Sequence, residues 1–127
     1  VLWRRITARD HERVAAFLDE RTMALRWLVA FFRRQDLFPA EEAENWALWC
    51  GVEEDGGLSC VAAHFFPSAT TYVAASAQAD PRAFGVLCAE EVLPEKVIGD
   101  RELIDRWRAA EPEVFAKTER VLEIDVL

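Results

Sequence analysis

Mainly apolar residues run from Trp46 to Phe66, broken by Glu53-Glu54-Asp55-Gly56-Gly57 and punctuated by Ser59 and His64. An Asp-Gly step between two apolar runs is a strong hairpin signal. It predicts strands over Asn45–Glu53 and Leu58–Phe66. A turn centred there pairs Trp46 with Phe65 and Val52 with Ser59. In that register Trp46, Leu48, Cys50 and Val52 share one face with Phe65, Ala63, Val61 and Ser59. Ala47, Trp49 and Gly51 share the other with His64, Ala62 and Cys60. Both faces are mainly apolar. Such a sheet has to be covered on both sides, so helices are expected above and below it.

The flanking pattern supplies them. Val1–Ile6 reads as a strand. Thr7 and Asp10 then form a capping-box-like helix start, and Val14, Phe17 and Leu18 follow at helical spacing. Met23–Asp36 reads as a second helix, apolar around more than half its circumference through Leu25, Trp27, Leu28, Val29, Phe31 and Phe32. Pro39 ends it, and Ala40–Glu44 is an acidic connector. After the hairpin, Thr70–Ala77 is a strand. Asp80 caps a helix over Arg82–Glu91 with Pro81 in its first position. Lys96–Gly99 is a brief strand, and Asp100 caps a helix over Arg101–Ala110 that ends at Glu111-Pro112. Arg120–Leu127, with Leu122, Ile124 and Val126 alternating with acids, is a last strand. Trp27, Trp46 and Trp107 are expected in the core. The fold class is α/β, a mostly antiparallel central sheet with helices on both faces.

Length and composition fit one globular domain over 1–127: 52% hydrophobic, 30% charged, with only 5 Gly and 5 Pro. A chain of this size buries roughly two thirds of the surface it exposes when unfolded. No apolar run reaches the ~18–20 residues that span a bilayer, and no signal peptide is visible. The net charge of −8 argues against a nucleic-acid partner, which needs a basic face. The ends, Val1 and an apolar tail, read as cuts in a longer protein or as trimmed tails.

Candidate chemistry is sparse. Cys50, Cys60 and Cys88 show no zinc or redox spacing, and Cys50 and Cys60 fall on opposite faces of the hairpin. They read as thiols of a cytoplasmic protein. No metal site is expected. His64 stands among Ala and Phe with no evident partner to tune it as a base, and His11, in the first turn of a helix, is expected to be solvated. Cys60 and His64 are too far apart along one strand, ~13 Å, for a dyad. The acids at the hairpin tip, and Glu90 with Glu91, read as solvated. No phosphate-loop, dinucleotide, zinc-protease or nucleophile-elbow motif is present. No catalytic or cofactor-binding residue is identified, and Trp49, His64 and Tyr72 are the candidates for contacting a substrate.

The element order, β-α-α-β-β-β-α-β-α-β with a long central hairpin, resembles the GNAT acetyltransferase fold. Trp3-Arg-Arg-Ile-Thr-Ala-Arg-Asp10 resembles its opening strand and capped first helix. Trp49-Cys-Gly-Val-Glu-Glu-Asp-Gly-Gly-Leu58 resembles its central hairpin. Lys96-Val-Ile-Gly-Asp-Arg-Glu-Leu-Ile-Asp-Arg-Trp107 with Thr118-Glu-Arg-Val-Leu-Glu-Ile-Asp125 is similar to a GNAT-like domain of unknown function. That domain lies N-terminal to the catalytic domain of predicted bacterial GNAT acetyltransferases. The resemblance implies a GNAT-like fold across nearly the whole chain.

The departure from that family is local. A catalytic GNAT carries a Gln/Arg-x-x-Gly-x-Gly/Ala turn after its fourth strand, whose backbone N–H groups hold the pyrophosphate of acetyl-CoA. Here the segment reads Ser76-Ala-Gln-Ala-Asp-Pro-Arg-Ala-Phe-Gly85. Gln78 is present, but Pro81 stands where glycine is needed and has no N–H, and Asp80 would repel phosphate. No cofactor is therefore expected for this chain, with acetyl-CoA reserved for a companion catalytic domain. The expected role is a non-catalytic N-terminal domain that packs against that companion or completes its acceptor site. A homodimer partner is the other candidate, and a membrane is not. A stand-alone binding module and an active, divergent acyltransferase are the alternatives.

Thiol titration under denaturing, non-reducing conditions should count all three cysteines. A count of one would reveal a disulfide and contradict the reading of a cytoplasmic protein.

Overall fold

The computed structural model describes residues 1–21, 45–116 and 120–124. The helix expected over Met23–Asp36, with Trp27, and the connector Ala40–Glu44 lie outside the described residues. The elements are β1 (Leu2–Arg5), α1 (His11–Arg21), β2 (Trp46–Val52), β3 (Leu58–Phe65), β4 (Thr70–Ala75), α2 (Ala83–Glu90), β5 (Lys96–Asp100), α3 (Arg101–Ala110), α4 (Pro112–Ala116) and β6 (Arg120–Ile124). The chain is a mixed α/β protein.

The six strands lie in the sheet in sequence order. β1 through β4 form antiparallel neighbours, and β4–β5 and β5–β6 are parallel. Parallel neighbours need a crossover, which α2 supplies for the first pair and α3 with α4 for the second.

The hairpin register matches the expected one from Trp46 opposite Phe65 to Gly51 opposite Cys60. It then slips, and Val52 faces Leu58 rather than Ser59. Ser59 is the extra residue of a β-bulge. Its buried hydroxyl reaches the Gly51 carbonyl at 3.5 Å. Gly51 lets the chains approach closely there, since a Cβ would sit 2.9 Å from the Val1 side chain and 3.1 Å from the Cys60 Cβ. At the tip Gly56 takes φ 87°, the Asp55 carboxylate accepts the Gly57 N–H at 2.8 Å, and Arg13 of α1 donates to the Gly56 carbonyl.

Both sheet faces are covered. On one, Trp49, Cys60, Ala62, Val73 and Val97 pack with Phe84 and Leu87 of α2, Ile104 and Trp107 of α3, and Phe115 of α4. On the other, Leu48, Cys50, Val61, Ala63 and Ala74 pack with Val14, Phe17 and Leu18 of α1. Small residues at the centre of the sheet leave room for large ones from the helices. Phe84 stacks between Trp107 and Phe115, with ring centroids 5.5 and 5.4 Å apart. The Trp3 indole N–H donates to the Ala83 carbonyl at 2.8 Å, tying the first strand to α2.

Several local expectations need correction. A 3-10 turn over Ala8–Asp10 precedes α1, and the carboxylate half of the capping box does the work. Asp10 accepts the Thr7 N–H at 2.9 Å and the Thr7 hydroxyl at 3.2 Å. Arg4 holds the same carboxylate with two bonds, of 2.8 and 2.6 Å, which lowers its pKa to about 2. His11 is buried, not solvated. Trp46 is half-buried rather than core, lying against Phe65 and Tyr72. Asp100 occupies the cap position of α3 in extended geometry, but its side chain makes no capping hydrogen bond. After Glu111 the chain resumes as the short α4, with Pro112 in its first position.

Trp107 is fully buried in the aromatic stack. Trp107→Ala should lose about 3–5 kcal/mol of unfolding free energy in urea denaturation, and Trp46→Ala should lose less. A loss below about 1 kcal/mol at Trp107 would place that side chain outside the core.

Candidate functional site

The segment joining β4 to α2 leads into a helix start, and helix starts present unsatisfied N–H groups that can hold an anion. The helix begins later than the sequence suggests. Arg82 is its cap residue, and Pro81 lies in the turn before it, not in the first helical position. Three N–H groups of this turn and helix start are already committed. Ala79 donates to the Ser76 carbonyl at 3.1 Å and Ala83 to the Asp80 carbonyl at 3.0 Å. Arg82 donates to the Asp80 carboxylate at 2.9 Å. Pro81 has no N–H. Asp80 thus acts as a cap, but for the residue ahead of the helix.

Beside this turn an open cleft of about 600 Å3 is lined by Glu53, Glu54 and Asp55 from the hairpin tip, Ser59 from the bulge, and Ser76 and Gln78 beyond β4. Its side chains offer carboxylates, hydroxyls and one amide. Arg106 of α3 donates to the Ser76 carbonyl at 3.1 Å, bracing one wall from behind. Among the described residues no group of three or more His, Cys, Asp and Glu could hold a metal ion.

The three residues put forward from the sequence do not form one site. Trp49 and His64 lie on the face packed by α2 and α3, since Trp49 pairs with Ala62 and His64 with Ala47 and Thr71. Tyr72 lies on the opposite face, against Trp46. None of the three lines the cleft. Trp49 is 2% exposed, its indole N–H meets no acceptor, and the Arg5 guanidinium lies 5.2 Å from its ring centroid. An unmet buried donor costs about 1–3 kcal/mol, so Trp49 is kept for packing at some expense.

His64 has the partner that its own strand did not reveal. Its Nδ1 shares a 2.8 Å hydrogen bond with the fully buried Thr71 hydroxyl on β4, and Phe66 meets the ring edge-on at 4.9 Å. Burial lowers the His64 pKa below the ordinary histidine value. The neutral ring with one nitrogen bonded to a hydroxyl is a satisfied interior histidine. The cysteines are equally quiet. Cys50, Cys60 and Cys88 are thiols, and burial raises Cys50 and pushes Cys60 up to about 11. Neither supplies a thiolate at neutral pH.

Sequence reasoning missed Thr71, Ser59 and Arg106. Thr71 and Ser59 become legible only once the register and the bulge are known. Arg106 looks like any charged residue on an amphipathic helix.

No family model matches this chain, and no curated protein matches it. Among solved structures, it is similar to a mutant of the BH1408 protein from Bacillus halodurans, at 16% identity and a TM-score of 0.39, over 100% of this chain and 83% of that one. Among the described residues no helix is long and apolar enough to cross a membrane.

The His64 ring should titrate by NMR with a midpoint below 6.5. The unfolded chain takes up this proton at the higher pH. The contribution of neutral His64 to stability is therefore complete above about 6.5 and is lost as the pH falls below it. A midpoint at or above that value would contradict its burial against Thr71.

Proposed function

We propose that this chain is a GNAT-like domain of an acetyltransferase-related protein, without catalytic activity of its own. It packs against, or completes the acceptor site of, a catalytic domain outside this chain. One observation carries the reading. The turn before α2, where a catalytic member would gather backbone N–H groups around the pyrophosphate of acetyl-CoA, uses three of its donors internally and lacks a fourth at Pro81. Ala79 and Ala83 are bonded to backbone carbonyls, Arg82 is bonded to Asp80, and Pro81 has no donor.

Charge supports the same reading. The Asp80 carboxylate stands at the helix start, and the neighbouring cleft is lined by Glu53, Glu54 and Asp55. A polyphosphate would meet like charge at close range, where salt screens less effectively than at long range. The packing role has a separate support. α2 is apolar nearly all round, a pattern usual for a helix covered on every side. Yet Val86 on its outer face is 40% exposed, and Leu93 just beyond it is 85% exposed. A companion domain seated there would cover both.

Calorimetric titration of the isolated chain with acetyl-CoA tests the reading. No saturable heat is expected up to high micromolar ligand. A dissociation constant at or below about 10 μM, equivalent to about −7 kcal/mol, would overturn it and favour an active acyltransferase.

A further inference from the structure

We draw no further inference here: the strongest candidate, the acidic cleft at the β2–β3 hairpin tip, belongs to the site already described, and its most buried polar side chain, Ser59, is already bonded to the Gly51 carbonyl, so no group in it points to a ligand.

Discussion

The structure depends on burying both faces of the β2–β3 hairpin. Each strand of it is apolar at successive positions, so neither face can be left in water without losing about 25 cal/mol for every Å2 of apolar surface. One layer of helix cannot satisfy that constraint. α1 therefore covers one side, and α2, α3 and α4 cover the other. The alanines at 47, 62, 63 and 74 follow from the same demand, because bulky helix residues from both sides meet at the centre of the sheet. Trp107 and Phe84 fill on one face the volume that Leu18 and Phe17 fill on the other.

Two-sided burial also decides where chemistry can occur. Polar groups caught in the interior are neutral or internally bonded: His64 is held by Thr71, and the Cys60 thiol is raised by desolvation. The remaining polar opportunity is at the rim, where β4 runs into α2 beside the hairpin tip. There the local residues are acidic or already hydrogen-bonded, through Asp80, Glu53, Glu54 and Asp55. An anionic ligand there would meet carboxylates at close range and would find three of the turn's N–H groups already bonded.

Much of this architecture was legible in the residues, and for identifiable reasons. The Asp-Gly turn set the hairpin register over six consecutive pairs, Trp46–Phe65 to Gly51–Cys60, since side-chain alternation penalises any slip. Its last pair was not legible, because nothing in the local residue pattern marks the bulge at Ser59. Helix α3 was readable to the residue, whereas α2 began later than expected because Asp80 closes a turn before the helix starts. The partner of His64 was hidden for a similar reason. Thr71 is distant along the chain in hydrogen-bonding terms and becomes adjacent only when β3 and β4 pair.

Residue-resolved hydrogen exchange under native conditions tests the two-sided burial most directly. Interior strands open only with the whole domain, whereas less buried segments exchange through local fluctuations. The amides of β3 around Val61, Ala62 and Ala63, paired on both sides and buried on both faces, should be the slowest in the chain. Their opening free energy should equal that of global unfolding. If they exchange as fast as the amides of β1, one face of the hairpin is open to solvent and the two-layer cover is wrong.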